Sequence, residues 1–118
     1  MTSDRYEPLS PLQAEKRMRA CAARLLEAID EHGVACEEEA SALADHKLAY
    51  ARALTESTFA TKGPADFHKA VAEQVAGDEL RTVLAATAKR RALGEEMHSL
   101  RQVLSSLQTN ARAMQSVT

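Results

Sequence analysis

Few residues in this chain are equipped for chemistry by type and spacing. Glu95 and His98 form a Glu-x-x-His pattern, which puts a carboxylate and an imidazole on one helix face, the arrangement that ferritin-like di-iron proteins use. Such a centre also needs bridging carboxylates from a second helix, and mid-helix candidates are limited to Asp45 and His46. Because Met97 lies between Glu95 and His98 in an apolar stripe, the simpler reading is a flanking surface pair. No serine sits in a Gly-x-Ser-x-Gly context, neither Cys21 nor Cys36 has a positioned histidine visible in the sequence, and the four glycines stand alone. Nucleophile elbows and phosphate-cradling loops are thereby excluded. The expectation is a protein that is no enzyme and carries no catalytic residue, metal or cofactor.

Cations offer more. Lys89-Arg90-Arg91 is the densest basic cluster, and a helix fans three such consecutive side chains across about 200°. Lys47, Arg52 and Lys62 add three more positive positions. Lysine and arginine supply sequence-independent, salt-sensitive affinity for phosphates, whereas a plain solvated face needs no ligand. Lys47 and Arg52 are five apart, hence about 140° round a helix, so they flank a face and do not share one. Tyr50, Phe59 and His46 lie nearby. They can stack on unpaired bases or fill a core.

The elements that must position these residues are helices. Leu93, Met97, Leu100, Leu104, Leu107, Ala111 and Met114 follow at spacings of 4, 3, 4, 3, 4 and 3. That heptad stripe asks for a partner helix along its length. Read for oligomerisation, Leu93, Met97, Leu100, Leu104 and Leu107 are the expected interface with further copies. Upstream, Ser10-Pro11-Leu12-Gln13 offers a capping serine, a first-turn proline and a glutamine that can reach back. Met18, Cys21 with Ala22, Leu25 and Ile29 form the inner stripe of a first helix that Gly33 is expected to stop, with His32 near its negative end. Glu37, Glu38 and Glu39 then suit the first turn of a second helix, whose inner stripe is Leu43, Tyr50 and Leu54. Thr61-Lys62-Gly63-Pro64 ends it. Phe67, Val71 and Val75 mark a short amphipathic helix, and Gly77-Asp78 a break. The expected organisation is a loose tail over 1–9, then one helical domain over 10–118 with helices at about 11–32, 35–61, 64–76 and 79–114.

Composition bounds the rest. Of the 118 residues 45% are apolar, but only 3% are aromatic and none is Trp. Alanine and leucine must make a thin core, which favours close-packed helices and association. The net charge of −2 gives no global field for nucleic acid, so any such binding must be local. No run approaches the roughly 18 apolar residues of a membrane span, and the N-terminus lacks a signal-peptide core. A cytoplasmic, non-membrane protein with two reduced thiols is expected. The fold class is all-α: a helical hairpin or three-helix unit with a long C-terminal coiled-coil-like helix, oligomeric.

Three segments carry a resemblance: Asp45 to Leu54, Ala60-Thr61-Lys62-Gly63, and the closing stretch with Ser99 to Gln108. Together they resemble the small helical proteins of bacteriophage recombination modules, the UvsY-type recombination mediators. The resemblance implies a homo-oligomer that binds single-stranded DNA and helps a recombinase displace single-strand binding protein, in the host cytoplasm if phage-encoded. Carried over by position, Lys47, Arg52 and Lys62 would contact DNA, with Lys89, Arg90 and Arg91 extending the track. An oligomeric helical adaptor that touches no DNA, and a small ferritin-like metal-binding protein, are the alternatives.

Overall fold

The computed structural model describes residues Ser10–Val117; the expected tail over 1–9 lies outside the described residues. These form three helices, α1 (Pro11–Ala60), α2 (Ala65–Val75) and α3 (Gly77–Val117), with no strand among them. The start of α1 is the expected one. The Ser10 N–H donates to Gln13 Oε1 at 3.0 Å and the Gln13 N–H donates to Ser10 Oγ at 3.2 Å, a reciprocal capping box with Pro11 in the first helical position.

The expected break at Gly33 does not occur. α1 is continuous from Pro11 to Ala60, so the helices expected over 11–32 and 35–61 are one. Gly33 has no positive φ, and a single helical glycine costs only about 1 kcal/mol relative to alanine. Fully buried Ala28 and Ala35 on either side anchor the helix through it. Two expectations built on that break fall with it. His32 is not at a helix end, and Glu37, Glu38 and Glu39 are not in a first turn. Cys21 and Cys36 are both free and lie on one helix, 15 residues apart. At the other end of the chain α3 continues past Met114 to Val117.

Two compact units can be distinguished, one made of the chain up to Asp30 with the chain from Leu93 onward, the other of Glu31–Ala92. In the first, α1 and α3 pack antiparallel. The Cys21 thiol donates to the Leu100 carbonyl at 3.2 Å, and Arg24 forks onto Glu96 at 2.7 and 2.6 Å. Rising through α1 from 21 to 24 thus descends α3 from 100 to 96. Ala14, Cys21 and Ala28 are buried at seven-residue spacing, with Met18 and Leu25 half-buried between them. Small residues on α1 let the α3 leucines approach closely. The heptad seam therefore finds its partner in the same chain. Leu107 is 8% exposed, while Leu93, Met97, Leu100 and Leu104 are half-buried. α1 thus covers part of the stripe expected to meet further copies, and four of its five residues keep some surface open. Ile29, expected inside, lies outside the seam at 39% exposure.

The second unit holds the rest of α1, all of α2 and the start of α3. Its core is built from Ala35, Ala42, Ala53, His68, Ala72, Ala76 and Val83. Alanine, not the expected Leu43–Tyr50–Leu54 stripe, fills the inner face of α1: Leu43 is 40% exposed, and Tyr50 and Leu54 are half-buried. The inner face of α2 likewise shifts from Phe67 and Val75 to His68 and Ala72, since His68 is tied to Ser57 of α1 at 2.7 Å. α1 ends at Ala60, and Pro64 precedes the first residue of α2, its carbonyl accepting from the Phe67 N–H at 3.0 Å. Gly63 matters sterically: a Cβ there would stand 3.0 Å from Phe67 Cδ1. Ala76 alone joins α2 to α3, its N–H donating to Ala72 O and its carbonyl accepting from Leu80 N–H.

Candidate functional site

All six expected cations of the basic track lie in the second unit, but they do not form one surface. The register of α1 against α3 brings the acidic run onto the basic cluster. Lys89 Nζ is 3.3 Å from Glu38 Oε2, and Arg90 Nε is 2.7 Å from Glu39 Oε1. Arg90, which sits in the heptad stripe Glu79, Val83, Ala86, Arg90, is thus a paired member of the helix contact. The Glu39 carboxyl is held below its ordinary value of 4.5 by hydrogen bonds from Thr87 and then Arg90, with burial opposing them and the charges of Arg90 and Arg91 adding to them. Two of the three clustered cations therefore have internal partners. Arg91 is exposed, with its charge directed in part to Glu39.

A different group of cations converges where α1 gives way to α2. An open cleft of about 550 Å³ is lined by Leu54, Thr58, Thr61, Lys62, Gly63, Ala65, His68 and Lys69. It contains two lysines and two threonine hydroxyls, and no carboxylate lines it. Lys47, seven residues before Leu54, lies within about 20° of it on the helix and about 10 Å along the axis. Lys47 thus shares the face of α1 that leads to the cleft. Arg52, two residues before Leu54, is turned about 160° away. Lys69 was not singled out from the sequence. It lies seven residues beyond Lys62, across a Gly-Pro turn, and only the reversal of the chain there makes the two share a cleft.

Aromatic rings adjoin this region. Phe59 is 87% exposed, which removes it from the core, and it stands about 100° round α1 from the cleft-lining Thr58, outside the lining. Tyr50 is half-buried with its ring 6.4 Å from that of His46. A second open groove, of about 480 Å³, has a mixed lining that includes Glu38, Asp45 and Lys89. It has no excess of positive charge.

Groups with catalytic potential are sparse. Ser57 Oγ and His68 Nδ1 are 2.7 Å apart, a nucleophile–base distance, and the Phe67 ring meets His68 edge-on at 5.4 Å. A working nucleophile also needs a third group to orient its base, and the Ser57 contact is the one side-chain hydrogen bond of His68 among the described residues. With His68 only 6% exposed, the pair fastens α2 to α1. Glu95 and His98 are both exposed, and among the described residues no three His, Cys, Asp or Glu side chains come together to hold a metal. Cys36, in contrast to the sequence reading, does have a histidine beside it: His32 Nδ1 lies 3.7 Å from its Sγ.

No described helix is long and apolar enough to cross a membrane. The chain matches no family model, and it has no significant match among curated proteins or solved structures.

Proposed function

We propose that this protein binds single-stranded nucleic acid, and specifically single-stranded DNA as a homo-oligomeric, phage-like recombination accessory protein. The binding face runs along α1 from Lys47 to the cleft of Lys62 and Lys69. The observation that carries this reading is the composition of that cleft: two lysines and two threonine hydroxyls with no carboxylate in the lining. Lysines so placed attract a phosphate backbone without reading its sequence. Phe59, five residues after Leu54 and so about 140° round α1 from it, is exposed and free to stack on an unpaired base of a strand that wraps the helix end. Single strands are therefore preferred to duplex. A recombinase or single-strand binding protein is the partner class that the resemblance supplies.

Fluorescence anisotropy with a labelled oligonucleotide tests the proposal. Binding should weaken steeply with salt, and replacing Lys62 and Lys69 together by Ala should reduce the slope of log K against log salt by about 1.4, about 0.7 for each lost phosphate contact. Arg52→Ala should leave it unchanged. Absence of binding at roughly 50 mM salt, the condition most generous to phosphate contacts, would overturn the reading. It would favour a protein adaptor instead, a role to which the exposed Leu80 and Leu84 on α3 are suited.

A further inference from the structure

His68 is the one buried polar residue among those described, 6% exposed, yet it belongs to the wall of the cleft beside Lys62 and Lys69. Ser57 Oγ stands 2.7 Å from its Nδ1. The other ring nitrogen, Nε2, has no partner among the described residues and is not sealed from solvent, since the one sealed and unpartnered side-chain atom is Glu79 Oε2. Nε2 therefore opens into the cleft. With the Ser57 hydroxyl donating to Nδ1, the neutral ring carries its proton on Nε2 and offers it there. Backbone donors adjoin the same space. No side chain caps α2 at Pro64, whose carbonyl accepts from the N–H groups of Phe67 and His68. The amides of Ala65 and Asp66, ahead of these, have no partner among the described residues. Ala65, His68 and Lys69 share one face of α2, and that face lines the cleft.

We infer that this cleft seats the terminal phosphate of a strand, a phosphomonoester, with His68 Nε2 as a direct contact. The inference rests on the nucleic-acid reading above and adds which part of the strand the cleft holds. Donor number favours a terminal phosphate over an internal one. The imidazole N–H, the first amides of α2 and the two lysines are more donors than the two free oxygens of a phosphodiester can use. A phosphomonoester presents three strong acceptor oxygens and a charge of about −1.5 to −2 near pH 7. Charge points the same way. Neither Lys62 nor Lys69 enters an ion pair among the described residues, so two positive charges face the ligand, and the start of a helix favours an anion as well. The nearest carboxylates in sequence stand off. Asp66 is about 100° round α2 from Ala65 and Glu56 about 160° round α1 from Thr58, and neither lines the cleft. Ser57 is a positioning residue, fixing the ring and its tautomer through Nδ1.

Anisotropy of the full-length chain with three internally labelled strands of one sequence, bearing a 5′-phosphate, a 3′-phosphate or neither, tests the inference. At least one phosphorylated strand should bind about tenfold tighter than the plain one, the worth of one charge-assisted hydrogen bond. Excess inorganic phosphate should erase the difference. His68→Asn, whose amide can keep the Ser57 bond but places nothing at Nε2, should lose the preference and retain the affinity for the plain strand. Because His68 is buried, a second measurement uses the unaltered protein: the His68 Nε2 resonance, followed by proton–nitrogen correlation, should move with inorganic phosphate and further with a phosphorylated strand than with the plain one. Equal affinity for all three strands overturns the inference and leaves the nucleic-acid reading standing. Binding of a phosphorylated strand alone sustains the inference and removes the wider binding face, whereas binding of none overturns both. An Nε2 resonance that stays in place, or moves equally with the plain strand, also overturns the inference.

Discussion

At the scale of single residues, polar contacts inside a thin alanine core fix how the helices meet. Glu39 shows this most directly. Its carboxyl stays ionised to lower pH when folded than the ordinary glutamate value of 4.5, chiefly through Thr87 and Arg90. A depressed folded pKa contributes stability that is fully present above the unfolded value and disappears as pH falls through the folded one. Glu39→Gln should therefore lower the urea midpoint at pH 7, and the gap from wild type should narrow as pH falls below the ordinary carboxyl value and through the lowered folded one. A gap of equal size at every pH would show that the carboxylate charge contributes nothing. Glu96, lowered by its hydrogen bonds from Arg24, adds a term of the same sign. His68 is a different case, being buried with Ser57 as its partner. Ser57→Ala leaves a buried ring nitrogen without a bond and should cost about 1–3 kcal/mol, measured by urea unfolding. A loss below about 0.3 kcal/mol would mean that water replaces the hydroxyl.

Among the elements, α1 departs most from its sequence reading. Glycine beside a histidine and ahead of an acidic run has the marks of a helix end and a fresh start. Those marks are local, and the competing signal is spread over the whole helix: Ala14, Cys21, Ala28, Ala35 and Ala42 are all buried, each seven residues from the next. Packing of that stripe overrides the glycine. Gly33→Ala should accordingly stabilise the chain by about 0.5–1 kcal/mol, seen as a higher melting temperature. A fall in melting temperature would instead indicate that the backbone at Gly33 needs glycine. The end of α1 was easier to foresee, because Gly63 and Pro64 act on the backbone next to them.

For the molecule as a whole, the balance of charge and the fate of the heptad seam carry the functional argument. A net charge of −2 opposes a polyanion at long range, so the Lys47–Lys62–Lys69 face works only at short range, and an oligomer that repeats it gains avidity without any new contact. In the fold described above α1 packs against the α3 leucines, while Leu93, Leu100 and Leu104 keep part of their surface open. Leu100→Asp distinguishes packing against α1 from assembly between copies. A carboxylate facing α1 should cost roughly 2–4 kcal/mol and reduce helicity by circular dichroism at any protein concentration. Full helicity with only a smaller particle would restore the leucines to an interface between copies.

What the sequence determined by itself was local or periodic: the Ser10–Gln13 capping box, the stop at Gly63-Pro64, the absence of strands among the described residues, and the heptad from Leu93 to Met114. Each follows from the backbone preferences of neighbouring residues or from a repeat within one helix. Tertiary structure decided which stripe meets which. The pairing of Glu38 and Glu39 with Lys89 and Arg90, the meeting of Lys62 with Lys69 and the exposure of Phe59 depend on the register between α1 and α3 and on the reversal through α2. A periodic pattern shows that a helix face is buried but does not identify the surface that covers it. The alanine seam was hidden for a related reason: alanine is both the best helix former and the residue that permits closest helix approach, and composition alone does not separate the two roles.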